Sequence, residues 1–510
     1  MDITRITTLG GLKKSNYKNL TVKEELRKNL LEKLAAGEDS FPGIIGYDDT
    51  VIPDLERAIL SRHNILFLGL RGQAKTRMAR QMTSLLDEYI PIVKGSEIND
   101  NPFSPVSNYA REMVNRMQDD TPIDWLPRNQ RYSEKLATPD VSVADLIGDI
   151  DPIKAANLKL NFGDERVIHF GIIPRSNRGI FVINELPDLQ ARIQVSLFNI
   201  LEEGDLQIRG FKLRLPLDIL FVFTANPEDY TNRGSIVTPL KDRIESQILT
   251  HYPSTIEDSL LITEQEASLY PAQEKKVVVS DLVKRLIEQV SFEARSSEFV
   301  DRKSGVSARL TISAYENAVS AAELRSIINN ESHTQVWISD LTGIIPSITG
   351  KIELVYEGEQ EGPYQVAFNL LEKAIRTQFS KYFPDPEALK KRRPKENKET
   401  KETVREENPY KAITQWFDGG NQLNLSFNCE DGERITRLNK VNGLAALVKK
   451  HYPAANKMES ALLMEFVLHG LAAHSLISKK IGDGKIEFKD LMGSMLNFGD
   501  QPFDESELEQ

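Results

Sequence analysis

The segment NILFLGLRGQAKTRMARQM, residues 64–82, decides how the chain folds. It opens with a continuous apolar run, residues 65–68, which is typical of a parallel strand covered on both faces. GLRGQAKT, residues 69–76, has the spacing of a phosphate-binding loop, except that Ala74 replaces the usual Gly before the Lys. Residues 77–86 continue with a helical pattern. The segment therefore predicts a strand, a tight loop and a helix.

A loop of this kind binds polyphosphate mainly through its backbone. It turns successive N–H groups onto the phosphates, and the helix that follows adds its positive N-terminus. Lys75 would reach the β- and γ-phosphates, and the Thr76 hydroxyl would ligate Mg²⁺. The alternative is a glycine-containing turn that happens to carry Lys-Thr. The strand before the loop and the helix after it favour the phosphate-binding interpretation.

The composition limits the class of protein. At 510 residues, the chain can form about two to four domains with a large core. A net charge of −11 disfavours a generic nucleic-acid binder. The single cysteine, Cys429, excludes an internal disulfide and a Cys-rich zinc site. The first residues lack the apolar core of a signal peptide, and no apolar run is long enough to span a membrane, so we expect a cytoplasmic protein.

The pattern of apolar, polar and charged residues divides the chain into successive parts. We expect a nucleotide-binding α/β part in the first half and a mostly helical second half, interrupted by a solvated, charged linker. The predicted first half has an N-terminal helical segment (residues 1–40) and an α/β domain (41–255), which contains an insertion (141–170) and a hairpin (205–216). The predicted second half has a helical lid (256–385), a charged linker (386–410) and a small helical C-terminal domain (411–510). Within the lid, residues 343–362 have a short strand-like centre.

Two further apolar runs end in polar residues. Residues 180–183 precede Asn184 and Glu185, and residues 219–224 precede Asn226. Because the carboxyl ends of parallel strands meet at one edge of a sheet, one nucleotide bound there would face both runs and the phosphate loop. Hydrolysis needs a polar residue that orients the metal, a carboxylate that activates water and a polar residue that positions it.

Several motifs occur in a fixed order along the chain: IIGYDD at 44–49, GLRGQAKT at 69–76, INEL at 183–186, TANP at 224–227, LKDR at 240–243 and SAR at 307–309. Over about residues 41–323 the chain resembles AAA+ ATPases of the MoxR and magnesium-chelatase group. In that group these motifs are the adenine-side box, Walker A with Ala before Lys, Walker B, sensor 1, the arginine-finger box and sensor 2. The insertion and the hairpin are also expected in this group.

The resemblance implies a role for each matching residue. Glu185 would activate water, and Asn226 would position it. Arg243 would reach the nucleotide of a neighbouring subunit, and Arg309 would contact the γ-phosphate from the lid. The nucleotide-binding positions that it implies are Ile45, Gly46, Gly69, Arg71, Gly72, Gln73, Ala74, Lys75, Thr76 and Arg77.

Thr76 and Asn184 would lie on the side of the metal. Asn184 departs from the family pattern, because Walker B normally carries Asp there. An Asn keeps one oxygen acceptor and loses the negative charge, so weaker Mg²⁺ binding or slower hydrolysis is expected. Glu185 argues against an inactive site.

The resemblance implies an AAA+ fold: a P-loop α/β domain with a parallel sheet, a helical lid and a small helical C-terminal domain. It further implies a Mg²⁺-dependent ATPase that forms a ring, a hexamer, and works with a partner containing a von Willebrand factor A domain. The task would be to remodel or activate a partner protein or to assist metal insertion into it. The alternatives are the motor subunit of a tetrapyrrole metal chelatase, a nucleotide-gated scaffold with little hydrolysis, and a nucleic-acid translocase, which the acidic charge disfavours.

Other signals are weaker. Arg209, Lys212 and Arg214 give the hairpin a basic character, which suits either contact with a threaded polymer or an exposed hairpin that faces neighbouring subunits. The sequence KKRRPK, residues 390–395, suits contact with acidic partners or a solvated linker. The apolar residues 458–474 are predicted to form a core helix.

Overall fold

The computed structural model describes residues 3–161, 164–203, 205–208, 214–227, 235–391 and 408–491. The chain forms two compact units, Met1–Tyr252 and Pro253–Gln510. Three features of the sequence lie wholly or largely outside the described residues: the hairpin tip with Arg209 and Lys212, most of the charged linker, and the acidic end of the chain. No described helix is long and apolar enough to cross a membrane.

The first unit contains eleven strands among its described residues. They are β1 (Ile65–Leu68), β2 (Tyr89–Val93), β3 (Ile123–Pro127), β4 (Tyr132–Leu136), β5 (Gly148–Ile150), β6 (Ile168–Phe170), β7 (Gly179–Asn184), β8 (Asp205–Gln207), β9 (Arg214–Pro216), β10 (Ile219–Ala225) and β11 (Ser246–Leu249).

Five of these strands form a central parallel sheet in the order β11–β1–β10–β7–β4. The non-consecutive order requires crossover connections, which is how helices come to cover both faces. Side chains of the middle strands alternate between two cores: Ile65 and Phe67 pack into one, and Leu66 packs into the other. This explains why the run is apolar throughout, and the expected parallel sheet is confirmed.

The helices of this unit pack on the sheet or form the segments attached to it. The α-helices are Leu9–Lys14, Val22–Ala35, Val51–Leu60, Lys75–Gln81, Asn108–Met117, Val143–Leu146, Pro152–Leu158, Ile172–Arg175, Ala191–Ser196, Phe198–Glu203 and Thr238–Lys241. The 3₁₀ helices are Ile3–Arg5, Met82–Leu85, Gln118–Asp120, Arg128–Gln130, Glu165–Val167 and Leu186–Asp188.

The sequence pattern predicts neither edge strand of the sheet. β4 (YSEKL) and β11 (SQIL) are short and carry polar residues, since an edge strand has one neighbour and is less buried than a central one. The predicted hairpin at 205–216 is present at its base, where β8 pairs antiparallel with β9 and Leu206 faces Leu215. Within the insertion, β5 and β6 pair antiparallel, and short helices lie between them in the chain.

The second unit is mainly helical. Its α-helices are Ile256–Glu266, Pro271–Lys276, Asp281–Ser296, Arg309–Ile328, Ile345–Thr349, Tyr356–Glu361, Pro363–Tyr382, Pro386–Lys391, Lys411–Asp418, Asp431–Leu438, Leu444–His451 and Lys457–Ala473, with a 3₁₀ helix at Ser339–Ile344. Its strands are β12 (Val277–Val278), β13 (Thr334–Gln335), β14 (Leu423–Ser426), β15 (Ser478–Gly482) and β16 (Lys485–Lys489).

Two expectations for this unit are corrected. The strand-like centre within 343–362 is a single bridge between Val300 and Leu354, because no neighbouring strand extends the pairing. The C-terminal part is not purely helical, since β14, β16 and β15 form an antiparallel sheet. The signal was in the sequence: Asp483 and Gly484 both have positive φ in the tight turn between β15 and β16, as a two-residue hairpin requires.

One hydrophobic core runs through this unit. It includes Val290 and Phe379 from the predicted lid as well as Phe417 and Phe466 from the predicted C-terminal part. The helix Lys457–Ala473 is buried from Ala461 to Leu471, so its prediction as a core helix is confirmed.

Candidate functional site

Three strands of the central sheet bring the predicted site residues to one edge. β1 runs into the loop 69–74, β7 ends at Asn184, and β10 ends just before Asn226. The backbone N–H of Gly69 donates to the carbonyl of Ala225 at 3.1 Å, which ties the start of the loop to the end of β10. The edge predicted from the sequence therefore forms in the structure.

The loop has the backbone of a tight strand-to-helix turn. Gly72 (φ 72°) and Ala74 (φ 56°, ψ 13°) are both left-handed, and the helix begins at Lys75. Ala74 thus occupies a conformation that favours glycine. Gly69 is constrained sterically, because a Cβ there would lie 2.0 Å from Oγ1 of Thr250.

Lys75 lies almost fully buried, with 7% of its surface exposed. Its ammonium donates to the carbonyl oxygens of Gly69 and Leu70, the latter at 3.0 Å, and to Oδ1 of Asn226 at 2.6 Å. These three acceptors are neutral oxygens. Asn226 is 7% exposed, so the contact joins two buried groups that lie 151 residues apart in the sequence.

Asn226 also connects Lys75 to Glu185. Its Nδ2 donates to Oε2 of Glu185 at 2.8 Å, so one amide links the ammonium to the carboxylate. Glu185 has a left-handed backbone (φ 56°, ψ 51°), and its N–H donates to Oγ1 of Thr224 at 3.1 Å. This arrangement turns the chain sharply at the end of β7 and directs Glu185 toward the end of β10.

A second set of contacts surrounds Asn184. Its Oδ1 accepts hydrogen bonds from the hydroxyls of Thr76 and Thr224, both at 3.3 Å. Thr224 was not among the residues predicted for the site, although it stands in the TANP motif two positions before Asn226. It holds both Asn184 and Glu185 and thereby fixes the end of β7 against β10.

A set of aromatic and hydroxyl groups fastens the loop from the other side. The Tyr47 hydroxyl lies 2.6 Å from the carbonyl oxygen of His251 and 3.1 Å from that of Gln73, so its single proton is shared between these two acceptors. Oγ1 of Thr250 donates to Oε1 of Gln73 at 2.7 Å, and the Tyr252 hydroxyl donates to the carbonyl of Arg71 at 2.9 Å. Arg71 and Gln73 are among the predicted nucleotide-binding residues, and Tyr47 lies in the IIGYDD motif. Sequence reasoning missed Thr250, His251 and Tyr252, because the pattern does not predict the strand β11 that they follow.

The remaining predicted residues are placed differently. Gly46 has a positive φ of 77° and, with Ile45, directly precedes Tyr47 in the chain. Arg243 lies in the same unit, where its guanidinium donates to Oε2 of Glu202 at 2.8 Å and lies 4.9 Å from the ring of Phe198. Arg309 is exposed and is the first residue of its helix in the second unit.

The donor set suits Mg²⁺ with a polyphosphate. Among the residues that the structure describes, no group of three or more His, Cys, Asp and Glu side chains is arranged to hold a metal ion. Mg²⁺ usually keeps several waters and takes one or two protein oxygens together with substrate phosphates. The neighbouring oxygens of Thr76 and Asn184, at the N-terminus of the helix after the loop, fit that description.

Comparisons with known proteins find relatives with low sequence identity. The chain is 24% identical over 221 residues to the magnesium-chelatase 38 kDa subunit of Rhodobacter capsulatus, a match that covers 42% of this chain and 57% of that protein. It is 25% identical over 207 residues to the same subunit of Cereibacter sphaeroides, covering 40% and 56%. The matches therefore span little more than half the length of these relatives. A scan against protein-family models finds no matching family.

Solved structures give weaker similarities. One describes the complex of the BchI and BchD subunits of magnesium chelatase, at 17% identity and a TM-score of 0.33, covering 63% of this chain and 98% of that one. Another is NtrX from Brucella abortus in complex with ADP, at 12% identity and a TM-score of 0.35, covering 72% and 65%. These scores are too low to bear on function. The sequence similarity and the ordered motifs support an AAA+ ATPase of the MoxR and magnesium-chelatase group.

Proposed function

We propose that the chain binds ATP with Mg²⁺ at the carboxyl edge of the sheet and hydrolyses the ATP. The observation that carries this proposal is the hydrogen-bonded chain Lys75–Asn226–Glu185, which joins the ends of three parallel strands. A cation, an amide and a carboxylate in line are the groups needed to hold a γ-phosphate, position a water molecule and activate it.

Each residue then has a role. Lys75 would give its hydrogen bonds to the β- and γ-phosphates in place of the neutral oxygens that it now contacts, because charge-assisted bonds are stronger. Thr76 and Asn184 would face Mg²⁺, which supplies charge neutralisation at the phosphates when bound. Glu185 would act as the general base, and Asn226 would hold both its carboxylate and the attacking water.

The other loop residues would bind the nucleotide through the backbone. The N–H groups of residues 69–77 would cradle the phosphates, and Ile45 and Gly46 would lie on the adenine side. The hydrogen bonds that Tyr47 and Thr250 make to the loop would keep it in its binding conformation, so that little conformational ordering is needed when ATP binds.

Assembly forms part of the same proposal. A hexameric ring would place Arg243 beside a neighbour's nucleotide, which requires that Arg243 leave its contact with Glu202. Arg309 would act from a lid within residues 256–385, followed by a linker and a C-terminal domain. The ring would use the energy of hydrolysis to remodel or activate a partner with a von Willebrand factor A domain, or to assist metal insertion into it.

The test separates binding from turnover. Lys75→Ala is expected to abolish detectable ATP binding in calorimetry, because the loop loses the point charge that holds the β- and γ-phosphates. Glu185→Gln is expected to keep ATP binding and to lower turnover about 10²- to 10⁴-fold, because the base is lost while the cradle remains. Lys94→Ala, an exposed lysine of the same unit, is the control. Wild-type affinity in Lys75→Ala, or wild-type turnover in Glu185→Gln, would contradict the respective assignment.

A nucleotide-gated scaffold with little hydrolysis is a second candidate, and Asn184 favours it. Its single acceptor oxygen already serves two hydroxyls, and it brings no negative charge to the metal. Asn184→Asp is expected to lower the half-saturating Mg²⁺ concentration several-fold in an ATPase titration. A wild-type protein that barely hydrolyses ATP, together with an active Asn184→Asp variant, would establish the scaffold. An unchanged Mg²⁺ dependence would show that Asn184 does not sense the metal.

The similarity to magnesium-chelatase subunits favours a third candidate, the motor subunit of a tetrapyrrole metal chelatase. An assay that adds a porphyrin and a porphyrin-binding chelatase subunit distinguishes it. ATP-dependent metal insertion that requires this chain, and fails with Glu185→Gln, would support the chelatase function. Robust ATPase activity without any insertion would leave the general motor function.

A further inference from the structure

A cleft of about 340 Å³ lies in the second unit, among residues that have no part in the candidate nucleotide site. One wall is the helix Pro363–Tyr382, which contributes Tyr364 and Phe368, and β15 contributes Lys479 and Ile481. Tyr364 is 63% exposed at the mouth of the cleft. The cleft thus combines aromatic walls with a lysine.

Lys479 is an unusual lining residue, because its side chain is only 6% exposed. Its ammonium donates to Oε1 of Glu372 at 2.5 Å and to Nδ1 of His469 at 3.3 Å, and it lies 5.7 Å from the centre of the Phe368 ring. Among the described residues its third N–H has no acceptor. The cleft therefore offers a buried donor to an incoming anionic group beside an aromatic surface.

The chain leaves the described structure next to this lysine. β16 is the last described strand, and it pairs antiparallel with β15 so that Lys489 faces Ser478. In the sheet order β14–β16–β15, β15 is an edge strand. Lys489, two residues before the last described residue, therefore lies beside the end of β15 that carries Lys479.

Those residues have a composition that complements the cleft. Residues 492–510, MGSMLNFGDQPFDESELEQ, contain five acidic residues, two phenylalanines and no Lys, Arg or His. Since an extended chain spans about 3.3 Å per residue, Phe503 can reach well beyond the length of the cleft.

We propose that residues 492–510 of this chain occupy the cleft, with a phenylalanine against Tyr364 and Phe368 and a carboxylate on Lys479. The acidic and aromatic segment then covers a surface that would otherwise stay open at an edge strand. The contact does not depend on nucleotide, and an external ligand of similar chemistry would have to displace it.

Photo-crosslinking in the full chain tests this contact. The photoreactive amino acid p-benzoylphenylalanine replaces Phe503, and mass spectrometry locates the attachment site after irradiation. The expected product is an intramolecular cross-link to residues 364–372 or 478–482. Tyr364→Ser is expected to reduce the yield at least fivefold, and high salt is expected to reduce it too. The Tyr364 side chain is exposed, so this change does not threaten folding.

The matched control is Tyr356→Ser, because Tyr356 is 70% exposed but does not line the cleft. It is expected to leave the yield unchanged. Cross-links elsewhere in the chain, cross-links only between two copies, no cross-link, or an equal yield in Tyr364→Ser would each overturn the proposal. The result is independent of ATP binding, so it stands or falls separately from the proposed ATPase.

Discussion

The central sheet has a carboxyl edge, where its parallel strands end, and an amino edge, where they begin. Both edges carry polar residues, but these residues have different hydrogen-bonding partners. At the carboxyl edge, Asn184, Glu185 and Asn226 end or follow strands. At the amino edge, Arg131, Arg178 and Asp218 directly precede β4, β7 and β10. From the sequence alone, charged residues beside a buried strand have the same appearance at either end.

At the amino edge, charged side chains bond to a neighbouring helix and hold it on the sheet. Arg131 donates two hydrogen bonds to Glu25, at 2.7 and 2.6 Å, and the two side chains are 1% and 3% exposed. The carboxylate of Asp218 accepts the backbone N–H of Val22 at 3.0 Å. The N-terminal helix Val22–Ala35 is thereby fastened to the sheet through its first turn.

At the carboxyl edge, the same kinds of side chain are held by amides, hydroxyls and carbonyls. Among their described contacts, Lys75 donates to neutral oxygens and the Glu185 carboxylate accepts from the amide of Asn226. Hydrogen bonds to neutral groups can be exchanged for stronger bonds to phosphate at modest cost, whereas separating a buried ion pair is expensive. The described contacts therefore contrast a buried ion pair at the amino edge with hydrogen bonds to neutral groups at the carboxyl edge.

The largest effect is expected from breaking the amino edge. Arg131→Met leaves Glu25 as a buried charge without its partner, which should lower the free energy of unfolding by about 3–5 kcal/mol. Urea denaturation measures this loss, and the folded variant should bind ATP like the wild type. Lys13→Met is the control, because its pair with Asp119 is exposed and should contribute less than about 1 kcal/mol. A loss below that value in Arg131→Met would mean that the edges do not differ as described.

A smaller effect is expected from Asp218. Burial raises the pKa of its carboxyl from 3.8 to about 6. Between these two values the folded chain holds more protons than the unfolded chain, so this group's contribution to stability falls as the pH rises through that window. Asp218→Asn removes the charge and should stabilise the protein by about 2 kcal/mol at pH 8, with little gain at pH 4.

Unfolding curves at several pH values measure the Asp218 effect. The exposed Asp124→Asn is its control and should show no such trend. A gain for Asp218→Asn that stays constant with pH would argue against titration of this group.

The smallest effect concerns the loop backbone. Ala74 has a left-handed conformation that costs an alanine about 1 kcal/mol relative to glycine. Ala74→Gly should therefore change the free energy of unfolding by no more than about 1 kcal/mol, in the stabilising direction, and should leave ATP affinity intact. Thermal denaturation with and without ATP measures both quantities. Marked destabilisation would show that the methyl group packs usefully, since Ala74 adjoins the core on one face of the sheet.

The sequence by itself determined the centre of the molecule. The apolar runs predict β1, β7 and β10, because strands covered on both faces need apolar residues at every position. The residues after those runs predict the site edge, because parallel strands end on the same side of a sheet. The local spacing of GLRGQAKT likewise predicts the loop that precedes the helix Lys75–Gln81.

Only the tertiary structure decided the rest. Lys75 contacts Asn226, and Tyr47 and Thr250 hydrogen-bond to residues far from them in the chain. No local sequence pattern predicts contacts between such distant residues. The sequences of β4 and β11 are too polar to predict strands. Each becomes a strand by pairing with a central strand, β7 or β1. Arg131 and Glu185 likewise received their different surroundings from packing, because a side chain's partners depend on which segments fold against it.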